Sequence, residues 1–314
     1  MNKIAIILPA YNEELTIRDT IESFHKELPK AKFIIVDNNS SDKTSKIANT
    51  TIKKNNISGL VIHERAQGKG NALRTAFMRV HADIYVIADA DMTYPANFIH
   101  ELIQPVINDK ADMVVGDRHS SGKYKIENKR KFHGFGNFFV NKIINTLFNS
   151  KLNDSMSGYR AFSNHFIKNY PILVSGFQVE VDMTLHALDK RFRITEIPID
   201  YKDRPSGSIS KLNTLSDGAK VIFTIAQVLR YYKPLVFFSF VSIIFLISGL
   251  IAGYPVMLDW INFKYIYHIP LAILACSLQI LCLIFFAIGL MLDSITHQGK
   301  LSYEHALLKS YNEE

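Results

Sequence analysis

Over the first 215 or so residues, short apolar runs alternate with segments of helical spacing. The runs Lys3–Ala10, Phe33–Val36, Leu60–His63, Asp83–Ala88 and Asp112–Gly116 are rich in Ile, Val and Ala and bounded by polar turns, the pattern of strands buried on both faces. Segments near 13–27, 42–54, 70–80 and 96–108 have helical spacing. The order βαβαβαβαβ predicts an α/β fold, a mostly parallel sheet with helices on both faces.

The pattern then changes. No Asp, Glu, Lys or Arg occurs from Pro234 to Leu258 or from Ile269 to Leu292. At 1.5 Å per residue each run can cross a hydrocarbon core of about 30 Å. A hairpin of two transmembrane helices over 234–292, with a short external loop, is therefore expected. Ahead of it, Val221, Ile222, Ile225, Val228, Leu229 and Tyr232 share one helical face, which predicts an interfacial amphipathic helix over 216–233. Residues 293–314 form a tail.

Charge sets the expected orientation. Lys220, Arg230 and Lys233 precede the first run and Lys300 and Lys309 follow the second, which places both flanks in the cytoplasm; Lys264 in the loop is the contrary charge. The apolar stretch after Lys3 is short and leads into Asn12, Glu13 and Glu14, so it reads as a first strand rather than a secretory signal. The expected location is an integral protein of the cytoplasmic membrane, with catalytic domain (1–215) and tail inside. Cys276 and Cys282 are the two cysteines and both fall in the second run, too few for a disulfide framework or a zinc site. The net charge of +7 suits anionic lipid or phosphorylated substrates. No nucleic-acid recognition motif is present.

In a parallel sheet, ligands bind beyond the carboxyl ends of the strands. Here those ends read LPAYNEE (8–14), VDNNSSDKT (36–44) and ADADMTYP (88–95). Taken singly, each has a local reading: Asn12, Thr16, Ser41 or Asp42 as helix caps and Asp89 as a turn former. Taken together, three acidic loops at one sheet edge crowd negative charge, which calls for a cation or a hydrogen-bond-donating ligand.

These three motifs, with GKGNA (68–72) and in this order, resemble the GT-A domain of inverting family 2 glycosyltransferases, in particular the dolichyl-phosphate mannose synthases and bacterial undecaprenyl-phosphate sugar transferases. The resemblance implies a GT-A nucleotide-diphospho-sugar transferase fold. It places Pro9, Tyr11 and Glu13 around base and ribose, Asp37 as acceptor of a hydrogen bond from the base, and Lys69 near phosphate. GKGNA lacks the third glycine of a dinucleotide fingerprint, so its glycines read as letting backbone approach the donor. Asp89 and Asp91, two apart in an extended segment, can converge on Mg²⁺ or Mn²⁺, which bind one or two carboxylates together with substrate phosphates.

On the acceptor side the resemblance points to Arg118 and Arg130 as holders of a lipid phosphate, with Lys129 and Lys131 beside them; that basic cluster also fits a patch touching lipid headgroups. Asp154, ahead of Ser157-Gly158-Tyr159-Arg160, takes a base or orienting role. A hydroxyl acceptor would instead need a general base, with Glu180 or Asp182 as candidates. The stretch RPSGSISK (204–211) resembles the family's closing loop, with Arg204, Ser210 and Lys211 meeting phosphate oxygens and Arg204 assisting catalysis. The implied activity is transfer of one sugar from a UDP- or GDP-sugar to polyprenyl phosphate at the cytoplasmic face. The alternative is the same chemistry onto a hydroxyl of a glycolipid or growing cell-surface glycan. Self-association through the membrane region is a further expectation of the resemblance.

Overall fold

The computed structural model describes residues 2–120, 133–176, 178–203 and 226–313, which divide into two compact units, Met1–Gly218 and Ala219–Glu314. Arg130, Arg204, Ser210, Lys211 and most of the 216–233 segment lie outside the described residues.

The first unit opens with β1 (Ile4–Ala10), α1 (Ile17–Glu27), β2 (Lys32–Asp37), α2 (Thr44–Lys54), β3 (Gly59–His63), α3 (Lys69–Arg79) and β4 (Ile84–Ile87). A 3₁₀ turn (Ala96–Phe98), α4 (Ile99–Ile107) and β5 (Met113–Asp117) follow. Then come α5 (His133–Phe148), β6 (Arg160–Ser163), α6 (Asn164–Asn169), α7 (Val179–Asp189) and β7 (Ile194–Pro198). The strands form one seven-stranded sheet in the order β3-β2-β1-β4-β6-β5-β7. The pairs β1 with β2, β1 with β4, β2 with β3 and β5 with β7 are parallel. β6 runs antiparallel between β4 and β5, with Val86 opposite Ala161 and Val114 opposite Ala161.

Alternation along β1 explains why both faces are covered. Ile6 and Leu8 point into the core that holds Ile17, Phe24, Leu102 and Tyr159, whereas Ala5 and Ile7 point into the core that holds Leu73, Tyr85, Phe162 and Met183. The sheet is mixed because the segment that fills the gap between β4 and β5 enters from the opposite end. Strands β6 and β7 were not among the sequence-predicted elements. β6 is only four residues long and begins with Arg160, a charged residue that is nevertheless almost wholly buried.

The described part of the second unit is helical: 226–232, then α8 (Pro234–Phe263) and α9 (Ile269–Glu313). Both long helices outrun the charge-free segments, and α9 carries helix through the tail. Each is long and apolar enough to cross a membrane. Their most apolar stretches are only 11% and 6% buried, as fits helices whose apolar surface faces lipid. They pack on each other through small residues: a Cβ on Gly249 would lie 3.3 Å from the Ala275 carbonyl oxygen, and one on Gly253 3.6 Å from the Ala275 Cβ. Ser242 Oγ donates to the Cys282 carbonyl at 2.9 Å. At the loop, one oxygen of Asp259 accepts the backbone N–H groups of Tyr267 and His268 at 3.0 and 3.1 Å, closing the hairpin.

One buried group makes the first unit sensitive to acid. His186 on α7 sits among Phe166, Tyr170 and Phe192, and burial lowers its pKa to about 4. Its folded pKa lies below the unfolded value of 6.5, so its contribution is complete above pH 6.5 and lost as pH falls towards 4, up to about 3 kcal/mol. Thermal melting of the detergent-solubilised chain across pH 7 to 4 should show this loss, and His186→Gln should reduce the slope.

Candidate functional site

The three polar loops meet at the carboxyl ends of β1, β2 and β4, joined by side-chain to backbone bonds. Asn12, in the left-handed region at φ 52°, accepts from Ser41 N at 2.8 Å instead of capping α1. Thr44 Oγ1 accepts from Glu13 N at 2.8 Å, and Thr16 Oγ1 donates to the Ala90 carbonyl at 2.7 Å and to a Glu13 carboxylate oxygen at 3.1 Å. Residues 13–16 are consumed by this turn, so α1 begins at Ile17. Glu13 is buried, and Pro9 and Tyr11 are half-buried along the same edge. Asp37, at the end of β2, accepts from Ser40 N at 3.2 Å and faces His63 Nδ1 at 3.1 Å.

Asp89 and Asp91 lie past the end of β4, in a turn where Met92 takes φ 63°. The extended geometry expected for this pair therefore stops at Ile87. Asp91 is buried, and its Oδ1 accepts from Thr93 N at 3.1 Å and Thr93 Oγ1 at 2.5 Å. Asp89 is less enclosed, its side chain 30% exposed. Its Oδ1 is bound by the ammonium of Lys69, which also holds Glu180 Oε1 at 2.5 Å. Lys69 is buried. Burial opposes its charge, but Asp89 and Glu180 outweigh that cost and raise its pKa above the ordinary lysine value. The second oxygen of Glu180, Oε2, is buried with no hydrogen-bond partner among the described residues. Lys69 therefore joins the β4 loop to the first turn of α7, residues far apart in sequence.

The GKGNA glycines permit a close approach within the chain. Gly68 adopts φ 130°, and a Cβ there would lie 2.1 Å from the Ser175 carbonyl oxygen; one on Gly70 would lie 1.9 Å from that of Val174. Gly70 N donates to Ser175 O at 2.9 Å. This approach to the backbone of Val174 and Ser175 fixes the start of α3 and hence Lys69.

A second ion pair stands on the other side. Arg118 follows β5 and is bound in a fork by Asp154: Nε donates to Oδ2 at 2.7 Å and Nη2 to Oδ1 at 2.9 Å. Burial would raise the pKa of Asp154, but Arg118 holds it below the usual carboxylate range. Asp154 N and Asn153 N both donate to Glu196, at 2.8 and 2.9 Å, and Glu196 is pushed up by burial. Asp182, two residues from Glu180, is turned elsewhere and accepts from Tyr170 Oη at 2.7 Å.

Arg160, Glu196, Asn141 and Tyr94 had no role in the sequence reading, yet they hold the 153–160 segment in place. The buried guanidinium of Arg160 donates to the carbonyls of Ser157 and Ser155 at 2.8 and 2.7 Å and to Thr184 Oγ1 at 2.9 Å. Asn141 Oδ1 accepts from Ser155 N at 3.0 Å. Gly158 N donates to Tyr94 Oη at 2.9 Å. A Cβ on Gly158 would lie 2.8 Å from Lys69 Nζ, so the 154–160 segment closes directly over the ammonium.

Three comparisons bear on identity. Residues 5–170, more than half the chain, match the model of glycosyl transferase family 2. Glycosyltransferase AglJ of Haloferax volcanii is 26% identical over 82% of both chains. The dolichyl-phosphate hexose transferase of the same organism is 24% identical over 72% of this chain and 93% of its own. Among solved structures, glucosyl-3-phosphoglycerate synthase from Mycobacterium tuberculosis superposes with a TM-score of 0.58 at 20% identity, over 73% of this chain and 78% of that one, a likeness of fold. With the family match over residues 5–170, this chain belongs to glycosyl transferase family 2 and is a glycosyltransferase.

Proposed function

We propose that the chain transfers one sugar, with inversion, from a UDP- or GDP-sugar to an acceptor presented at the cytoplasmic face of a membrane. The observation that carries the donor half is the carboxylate pair Asp89 and Asp91, at the sheet edge where ligands of such folds bind. Among the described residues no trio of His, Cys, Asp or Glu could hold a metal ion. A carboxylate pair with one member partly open to solvent fits a hard cation that takes one or two carboxylates and completes its shell with phosphate oxygens. Mg²⁺ or Mn²⁺ bound there would offset charge on the departing nucleoside diphosphate. The M. tuberculosis synthase was crystallised with Mn²⁺ and UDP-glucose. Pro9, Tyr11, Glu13 and Asp37 would hold the nucleoside, and Asp37 would orient the base. Two helices able to cross a membrane would keep the site near a lipid-borne acceptor.

Two acceptor classes compete for the site. A hydroxyl of a glycolipid or growing glycan needs a base, and Glu180 supplies a buried carboxylate oxygen with no partner among the described residues, whereas Asp154 is occupied by Arg118. In that reaction the acceptor oxygen bonds to the anomeric carbon as the bond to the diphosphate breaks, and the hydroxyl proton passes to Glu180. This reading has the stronger support within the described site, where Lys69 and Arg118 are already neutralised by carboxylates. Polyprenyl phosphate is the second reading. It is favoured by the hairpin and by the likeness to a dolichyl-phosphate hexose transferase. Arg118 and Arg130 would then seat the lipid phosphate, with Arg204, Ser210 and Lys211 closing over donor and acceptor.

Asp91→Asn should lower nucleoside diphosphate release at least ~100-fold at saturating donor and metal, on the scale of losing one centre of charge stabilisation. Turnover equal to the parent would sink the donor-site assignment. The acceptor is decided by a donor screen run with polyprenyl phosphate and with hydroxyl-bearing glycolipids. On the hydroxyl reading, Glu180→Gln removes transfer by ~100-fold while Asp154→Asn is milder; release that depends on polyprenyl phosphate and survives Glu180→Gln would select the lipid phosphate.

A further inference from the structure

We infer that Lys69 is a positioning residue whose ammonium competes with the donor's divalent cation for Asp89, so that metal and nucleotide enter the site together. This rests on the donor-site reading above.

The ammonium touches one oxygen of Asp89, on the donor side, and one of Glu180, on the acceptor side. It has little room to leave. The Lys69 side chain is 6% exposed, Gly158 packs so closely that a Cβ there would reach Nζ at 2.8 Å, and the start of α3 is fixed against Val174 and Ser175. Asp89 is the more open of its two partners, 30% exposed against 9% for Glu180. A cation arriving at the Asp89 and Asp91 pair must therefore share Asp89 with a positive charge that cannot retreat into solvent.

Like charges this close repel strongly in a water-poor site. A nucleoside diphosphate brings the negative charge that lets metal and ammonium stand side by side. It follows that nucleotide raises the affinity for metal and, by linkage, metal raises the affinity for nucleotide. Without Lys69, Asp89 and Glu180 lose their counter-ion and the metal loses its competitor. The carboxylate pair then takes up the cation without waiting for diphosphate. The empty parent site, by contrast, is charge-compensated by its own lysine and retains little metal.

The test is a Mn²⁺ titration followed by electron paramagnetic resonance on the full chain in detergent, alone and with UDP or GDP, with no acceptor and no turnover. The parent should bind Mn²⁺ at least ~10-fold more tightly with the matching nucleotide than without it, within the usual range of coupling between sites. Lys69→Met should bind Mn²⁺ alone at least ~5-fold more tightly than the parent and lose most of that coupling, while Lys69→Arg should keep it. A folded Lys69→Met chain that binds Mn²⁺ alone no better than a normally coupled parent overturns the role given to Lys69. A parent that binds no Mn²⁺ with either nucleotide overturns the donor-site reading itself. Should Lys69→Met fail to fold by near-ultraviolet circular dichroism, Lys69→Met with Glu180→Gln removes an anion along with the cation and is judged by the same two criteria.

Discussion

Carboxylates gathered at one edge of a sheet repel one another, and buried ones also forgo water. This site meets both costs with two internal cations. Lys69 lies between Asp89 and Glu180, and Arg118 lies in the fork of Asp154. Each pair ties together segments from distant parts of the chain, so the charges are balanced only once the sheet, the start of α3 and the first turn of α7 have assembled. Removing one partner from such a pair leaves an uncompensated buried charge, which costs far more than the pair itself contributes.

The rest of the site is arranged around those pairs. Gly68 and Gly70 give up side chains so that α3 can start against Val174 and Ser175, which sets where Lys69 points. Arg160 uses its guanidinium to gather the carbonyls of Ser155 and Ser157 and the hydroxyl of Thr184, holding the 154–160 segment against α7. Burial lowers the pKa of Arg160, while the charges of Glu180 and Asp154 support its cationic form. The polar framework thus runs from the loops after β1, β2 and β4 through Lys69 and Glu180 to Arg160 and Thr184. A change in charge at Asp89 is felt first by the lysine and then by the carboxylate that the hydroxyl reading uses as base.

Much of this was legible in the chain. The β1 to β5 runs and the helices between them follow from apolar runs and helical spacing, because strands covered on both faces leave few polar positions to confuse the pattern. The charge-free hairpin is equally plain. β6 was not legible, since Arg160 opens it and its burial depends on carbonyls and Thr184 that only the fold brings near. The start of α1 was placed too early because Glu13 to Thr16 are held in a turn by Thr44 and Ala90, partners from other loops. Lys69 read as a phosphate ligand from its glycine-rich setting. Its pairing with Glu180 had no local signal at all.

The central claim is that donor and metal meet at the carboxylate pair past the end of β4. It is tested most directly by an anomalous difference map at the manganese edge, from crystals of the chain soaked with Mn²⁺ and UDP or GDP. The account predicts one peak within coordination distance of an Asp91 carboxylate oxygen and of the diphosphate, with Lys69 Nζ still beside Asp89. A bound nucleotide with the manganese elsewhere, or with none beside Asp91, would contradict it.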